Sequence, residues 1–211
     1  MQKTIAAQLD ETLAKIATSN AAPRLLLHCC CAPCASYVLE YLSAYFRITA
    51  LFYNPNIVPE AEYHRRANEL LKLTAVAEYV NSVDTVICDY EADVFSETVS
   101  LYRDEPEGGR RCKACFDMRL GETARRAKEG HYDYFTTTLT VSPHKNATIL
   151  NETGIELGGQ VGVEYLLSDF KKRNGYKRSV ELSEMYGLYR QNYCGCSTEK
   201  RSGDATAGIH N

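Results

Sequence analysis

Short apolar runs of strand length alternate along this chain with longer stretches whose apolar residues recur every three or four positions. Within residues 1–20, Ile5, Leu9, Leu13 and Ile16 mark one face of an amphipathic helix. Leu25-Leu26-Leu27-His28-Cys29 reads as a buried strand, Ser36 to Tyr45 as a helix, and Ile48 to Tyr53 as a second strand, closed by the turn signals Asn54-Pro55-Asn56 and Pro59. A long helix over Glu60 to Tyr79 turns Leu70, Leu71, Leu73 and Val76 inward, and Val83 to Cys88 is a third strand. A helix at Asp93 to Tyr102, a Gly108-Gly109 loop, a helix from Cys112 to Lys128 and a strand at Tyr132 to Thr136 follow. The second half is less regular: Lys145 to Leu157 is helical, Val161 to Leu167 a short strand and Ser179 to Tyr189 a helix.

Strands alternating with helices imply βαβ units and a parallel sheet. The expected fold is α/β and three-layered, with a mostly parallel sheet, a Rossmann-like core and an irregular C-terminal half. The chain divides into an N-terminal helix at 1–20, a single α/β domain at 21–200 and a small, polar, flexible tail at 201–211. In an open parallel sheet, ligands sit beyond the carboxyl ends of the strands. That rule places the cysteine turn after the first strand, the Asn54 turn, Asp89 and Thr137-Thr138-Leu139-Thr140 along one rim.

At 211 residues, 45% of them hydrophobic, the chain can bury a core without a metal or disulfide to help it fold. Met1 to Asn20 carries Asp10 and Glu11 in its middle, so it reads as neither a signal peptide nor a membrane span. The cytoplasm is the expected location, where unconstrained thiols stay reduced. A net charge of -3 argues against indiscriminate binding to nucleic acid and leaves room for a local basic track.

The nine cysteines change the picture, because eight of them fall in three knots: Cys29-Cys30-Cys31-Ala32-Pro33-Cys34, Cys112-Lys113-Ala114-Cys115 and Cys194-Gly195-Cys196. Cys88 stands alone. Thiols concentrated this way suit a soft metal or electron transfer better than stapling a fold. Three readings of Cys31-x-x-Cys34 and Cys112-x-x-Cys115 are open. A structural zinc site uses four cysteines but leaves Cys30 beside it. A thioredoxin-like pair at Cys31 and Cys34, between strand and helix, gains a lowered thiol pKa from the helix N-terminus but leaves Cys112 and Cys115 unemployed. An iron–sulphur cluster takes thiolates as its normal ligands and becomes a catalyst when one iron is left open.

Cys194-Gly195-Cys196 is a different device, since the glycine permits the tight turn that a disulfide between near neighbours requires. Such a ring is readily reduced and re-formed, as a two-electron store should be. Lys171-Lys172-Arg173-Asn174-Gly175-Tyr176-Lys177-Arg178 carries five cations and no acid. With Tyr186, Tyr189, Arg190 and Tyr193 close behind, it suggests phosphate contacts beside rings that stack on unpaired bases. A second set, Arg110, Arg111, Lys113 and Arg119, surrounds the Cys112 pair, and cations round two of the three knots favour a polyanionic substrate.

His28-Cys29-Cys30-Cys31-Ala32-Pro33-Cys34, Tyr53-Asn54-Pro55-Asn56-Ile57, Glu62-Tyr63, Arg111-Cys112, Cys115-Phe116, Arg119-Leu120, Ser142-Pro143-His144-Lys145, Tyr189-Arg190-Gln191 and Tyr193-Cys194-Gly195-Cys196 together resemble the QueH family of cobalamin-independent epoxyqueuosine reductases. The resemblance runs from Arg24 to Cys196. It implies a Rossmann-like core of the HUP/PP-loop kind and a [4Fe-4S] cluster at Cys30, Cys31, Cys112 and Cys115. It also implies an additional iron at Cys34, a redox-active pair in Cys194 and Cys196, and no cobalamin. Cys29 is expected to be buried filler. His28 is either a supporting donor or a satisfied strand-end histidine, and Asp89 and Asp117 are candidate acids only by placement.

The reaction implied is reductive deoxygenation of epoxyqueuosine to queuosine at the wobble position of a tRNA anticodon. A Lewis-acidic iron would weaken the bond from the epoxide oxygen to carbon, with electrons entering singly and the dithiol supplying or restoring the rest. Lys171, Lys172, Arg173, Lys177, Arg178 and Arg190 are the expected tRNA contacts. An electron donor is the second expected partner, a membrane is not one, and the protein is expected to be a monomer. The competing classes are a zinc-stabilised tRNA-binding module without catalysis and a thioredoxin-like thiol oxidoreductase.

Overall fold

Leu25, Leu26 and Leu27 leave a strand no polar face to turn to water, and β1 (Arg24–His28) lies at the centre of the sheet with all three leucines buried. The computed structural model describes residues 3–19 and 21–196; the expected tail at 201–211 and residues 197–200 lie outside the described residues. The element order is α1 (Ile5–Ala17), β1, α2 (Ala32–Leu42), β2 (Arg47–Phe52), α3 (Glu60–Val76), β3 (Val83–Ile87), α4 (Ala92–Thr98), α5 (Arg110–Glu129), β4 (Tyr134–Thr137), α6 (Ala147–Val161), β5 (Glu164–Tyr165) and α7 (Gly175–Met185). Every ladder is parallel, and the strands run β3-β2-β1-β4-β5.

Because side chains alternate along a strand, the leucines of β1 feed two separate cores. Leu25 and Leu27 join Leu9, Leu13, Leu39, Leu42 and Leu70 from α1, α2 and α3 on one face of the sheet. Leu26 joins Phe116, Leu120, Phe135 and Leu150, which brings α5 and α6 to the other. This is the three-layer α/β arrangement the strand–helix alternation implies. The chain runs outward from β1 through β2 to β3, then returns to lay β4 on the opposite side of β1. A crevice opens where the order reverses, beyond the carboxyl ends of β1 and β4.

Several boundaries differ from the expected ones for local reasons. Pro33, tolerated in a first helical turn because its missing N–H would be unpaired there, lets α2 begin at Ala32, so Cys31 is its N-cap. In α3, Leu70 and Leu73 are buried, but Leu71 and Val76 lie off that stripe and are 44% and 57% exposed. The helix expected at Ser179 to Tyr189 begins instead at Gly175, making Lys177 and Arg178 helical and leaving Tyr189 in the segment beyond it. The strand expected over Val161 to Leu167 shrinks to two residues at the sheet edge. No helix among the described residues is long and apolar enough to cross a membrane.

Two adjacent glycines of α6 test this packing. A Cβ on Gly158 would stand 2.6 Å from the Val163 carbonyl oxygen, whereas one on Gly159 would meet nothing within 4 Å. Gly159→Ala should raise stability by roughly 1 kcal/mol through helix propensity, while Gly158→Ala should lower it by about 1–3 kcal/mol through overpacking. Urea midpoints that move in the same direction would refute the register of α6 against the sheet.

Candidate metal and dithiol site

The first set of thiols is placed by the junction of β1 and α2. Cys29 turns into the core, fully buried as expected of filler, while its backbone N–H donates to the Leu51 carbonyl at 2.8 Å and so prolongs the ladder by one residue. Cys30 and Cys31 are left at the rim with their sulphurs 3.8 Å apart, and the Cys34 sulphur, one helical turn on, brings all three within 4.8 Å of one another. Hydrogen bonds from Cys30 and then Cys34 hold the Cys31 thiol well below its ordinary range, and the same pairing pushes Cys30 and Cys34 up. Two thiolates on one tetrahedral ion with bonds of about 2.3 Å stand about 3.8 Å apart, so the spacing fits a thiolate-bound metal.

Buried polar atoms point the same way. Asn56 Oδ1, Arg66 Nη2 and Gln191 Oε1 are buried without a hydrogen-bond partner, although buried polar groups are almost always satisfied. Arg66 and Gln191 both act on the Cys31 thiol, Arg66 through its charge and Gln191 through a hydrogen bond. Unsatisfied donors and acceptors beside clustered thiols are what a site built round a further polar or charged group would leave.

The second set comes from the opposite layer. Cys112 and Cys115 lie one turn apart on the buried face of α5, and with Lys145, Cys194 and Cys196 they line a shallow cleft. Cys194 and Cys196 are free thiols with sulphurs 3.4 Å apart. Lys145 Nζ is 3.7 Å from Cys194 Sγ and 3.2 Å from Glu107 Oε1. The hydrogen bond from Cys196, aided by the Lys145 charge, holds the Cys194 thiol well below its ordinary range and raises that of Cys196.

The segment carrying this pair is latched onto α3. Tyr189 Oη lies 3.3 Å from Glu62 Oε1, with its ring under the Arg65 guanidinium, and Tyr193 lies beneath Arg66. Glu62 and Arg66 form a buried ion pair at 2.6 Å. Gly195 sits so close to Ile57 that a Cβ would stand 2.7 Å from its Cγ1. The glycine of Cys194-Gly195-Cys196 is thus required by close approach as well as by the turn.

Between the two sets lies Arg119, 4% exposed. Its Nη2 donates to Asn54 Oδ1, its Nε reaches His28 Nε2 at 3.3 Å and its Nη1 points at Cys115 Sγ, 3.9 Å away. His28 is therefore a satisfied strand-end histidine: Nδ1 lies 2.8 Å from Thr137 Oγ1, and burial, with Arg119 beside it, lowers its pKa to about 3. Cys30, Cys31, Cys112 and Cys115 thus fall into two groups flanking Arg119, and Cys34 completes the first.

The cations have mixed roles. Arg119, expected with Arg110, Arg111 and Lys113 among the cations round the Cys112 pair, is buried instead of facing a substrate at the surface; its spacing of four from Cys115 puts it on the same buried helix face. Arg110 is paired with Glu105, Lys113 with Asp117, Arg173 with Asp10, Arg178 with Glu40 and Glu181, and Lys171 with Asp169. Lys172, Lys177 and Arg190 are exposed. Asp117 also accepts from Thr153, so its contacts are structural.

Comparison with known proteins now decides the family. The sequence profile of epoxyqueuosine reductase QueH matches residues 25–202. The chain belongs to the QueH family. It is 48% identical over 176 residues to an epoxyqueuosine reductase QueH of Streptococcus pyogenes, covering 82% of this chain and 69% of that one. Identity is 46% over 180 residues to the protein of that name from Staphylococcus epidermidis and 44% over 180 to that from Staphylococcus aureus, covering 82% of this chain and 75% and 74% of theirs. The QueH motifs visible in the sequence include Glu62, Arg119 and Lys145; what sequence alone does not supply is the inward direction of Arg119 or the pairing of Lys145 with Cys194.

The Lys145 contact has a measurable consequence. Because the Cys194 thiol is held low, its thiolate persists to lower pH than that of Cys196, and Lys145→Gln should move its titration upward. At pH 7 iodoacetamide should label Cys194 faster than Cys196, and the substitution should move the midpoint of the Cys194 labelling rate against pH upward. A Cys194 midpoint unmoved by the substitution, read by fragment mass spectrometry, would remove Lys145 from this role.

Proposed function

We propose that this chain reduces epoxyqueuosine to queuosine in tRNA with a thiolate-bound iron–sulphur centre and the Cys194/Cys196 dithiol. The observations that support the reading are the cluster of Cys30, Cys31 and Cys34 and the cleft lined by Cys112, Cys115, Cys194 and Cys196, in a chain whose relatives bear that activity in their names. The epoxide takes up two electrons and two protons, loses its oxygen as water and leaves a carbon–carbon double bond. Oxidation of the dithiol to a disulfide releases the same number of each. The wobble nucleotide is unpaired in an anticodon loop, so turning it into the cleft costs little.

Within this reading Cys30, Cys31, Cys112 and Cys115 would hold a [4Fe-4S] cluster, and Cys34 would hold an additional iron. When bound, such a cluster would supply single electrons, and an iron not capped by a cysteine would supply a Lewis acid. The chain's own groups do the rest: the Cys196 hydrogen bond and the Lys145 charge favour the Cys194 thiolate, Cys196 holds one of the two protons and the Lys145 ammonium the other, and Tyr189 and Tyr193 keep the pair over the cleft. Residues 21–200 act as one catalytic domain with α1 appended. The enzyme works in the cytoplasm as a monomer, draws electrons from a separate donor and needs no cobalamin. Lys171 Nζ lies 3.4 Å from the Lys145 carbonyl, which starts the basic track at the edge of the cleft and supports tRNA docking there.

Anaerobically purified protein should be brown and contain iron and acid-labile sulphide, and Cys112→Ala or Cys115→Ala should lose both while keeping the circular dichroism of the parent. A colourless protein with one zinc would favour the binding-module alternative instead. Cys194→Ser and Cys196→Ser should keep iron, sulphide and tRNA affinity and lose multiple turnover; loss of the cluster in either would make that cysteine a ligand.

Replacing Lys172 and Lys177 with Ala should flatten the dependence of log K on log salt by about 0.7–0.9 for each phosphate left without its cation. Arg173→Ala should change it less, because Asp10 already neutralises that guanidinium. An unchanged slope in the double variant would place the tRNA elsewhere.

A further inference from the structure

Three cations approach the thiols from within the fold, and one of them differs from the others. Arg66 is paired with Glu62 at 2.6 Å and Lys145 with Glu107 at 3.2 Å. Arg119 is as deeply buried as Arg66, yet among the described residues no carboxylate lies within ion-pair distance of it. Its hydrogen-bond partners are the Asn54 amide oxygen and the His28 ring, neither of them an anion. Taking a full charge out of water costs several kcal/mol even after the surroundings relax, and such partners offset only part of that. The groups left to supply negative charge are sulphurs: Cys115 Sγ stands 3.9 Å from Nη1, and Cys30 packs against the same cluster as Cys112 and Phe116.

We infer that Arg119 is the resident countercharge of the thiol centre, a positioning residue fixed by Asn54 and His28 between Cys30 and Cys115. There it favours metal-bound thiolates at both and raises the reduction potential of the group they hold. The inference rests on the reading of these cysteines as metal ligands. Thiols become thiolates when they bind metal, so the charge that Arg119 lacks in the bare protein is supplied when the site is filled. A planar guanidinium is needed because three separate donors reach Asn54, His28 and Cys115 at once, which an ammonium on a flexible stem does not reproduce. A fixed positive charge beside a centre that gains an electron stabilises the reduced form, and charge and hydrogen bonds at the sulphurs are established means of setting such potentials.

The test compares Arg119→Gln, which removes the charge, with Arg119→Lys, which keeps it and loses the fork. Metal-free, reduced protein is titrated with cobalt(II) and followed by its thiolate-to-metal absorption. The anaerobically purified holoprotein is titrated redoxically and followed by electron paramagnetic resonance. Arg119→Gln should weaken cobalt binding by roughly 10- to 100-fold and lower the midpoint potential of the centre, with Arg119→Lys between it and the parent on both scales. If the Gln variant fails to fold, the Lys variant decides alone: a cobalt affinity and a potential both below the parent's support the inference, and parent values on either scale overturn it. A folded Gln variant with the parent's affinity and potential also overturns it, leaving Arg119 a strut between α5 and the strand ends. A parent protein that shows no cobalt–thiolate band and holds no iron would sink the metal reading itself, an outcome separate from either of these.

Discussion

One hydrogen-bonded unit ties together the four elements that carry the rim. Arg119 comes from α5, His28 ends β1, Asn54 opens the turn after β2, and Thr137 ends β4. Asn54 also donates from Nδ2 to the Cys29 carbonyl at 2.9 Å, so the backbone that presents Cys30 and Cys31 is held by the residue that accepts from Arg119. None of these groups reaches solvent, so removing one partner leaves the others buried and unsatisfied. The rim is therefore rigid where the thiols stand. The relative positions of the Cys30 and Cys112 sets are fixed by polar contacts that the two hydrophobic cores merely surround.

Most of the fold could be read from the sequence because its signal is local. An unbroken apolar run such as Leu25-Leu26-Leu27 has few uses other than a strand buried on both faces, and alternation with helical periodicity then dictates parallel pairing. The order of the strands is what sequence cannot state. That β4 returns to lie beside β1, not beyond β3, follows from which faces of α5 and α6 match Leu26 and Phe135, a long-range choice with no local marker. Leu71 and Val76, expected inward and found exposed, show the complementary error: apolar character does not guarantee burial, because one residue of offset on a helix is a rotation of about 100°.

The site was legible by residue type and less so by direction. The cysteine knots announced metal or redox chemistry, and the motifs they belong to pointed to the family. Sequence spacing could not say that Cys112 and Cys115 open onto the same cleft as Cys194 and Cys196, because that depends on how residues 188–196 cross α3. It also could not separate buried cations from exposed ones. Arg119 and Arg110 look alike as charges in the sequence, but one extends the buried face of α5 and the other pairs with Glu105 at the surface. Much of the basic track is likewise matched by acids from α1 and α2 that lie more than a hundred residues away in sequence, Asp10 and Glu40 among them.

The two thiol sets are also supported in different ways, and that difference suits different chemistry. Cys30, Cys31 and Cys34 belong to a strand end and the first turn of a helix, where moving one sulphur would disturb the sheet ladder or the helix start. Cys194 and Cys196 ride on a segment attached through Tyr189, Tyr193 and the bond from the Val58 amide to the Gly195 carbonyl. Forming a disulfide brings their sulphurs from 3.4 Å to a bonding distance of about 2 Å, and a segment held by side chains can accept that shift while a strand end cannot. A centre that must keep fixed geometry while its charge changes belongs on the rigid support. On the proposed function, a pair that opens and closes with each cycle is better carried by the latched segment, close enough to share Lys145 and the cleft with Cys112 and Cys115 yet outside the hydrogen bonds that Arg119 makes to Asn54 and His28.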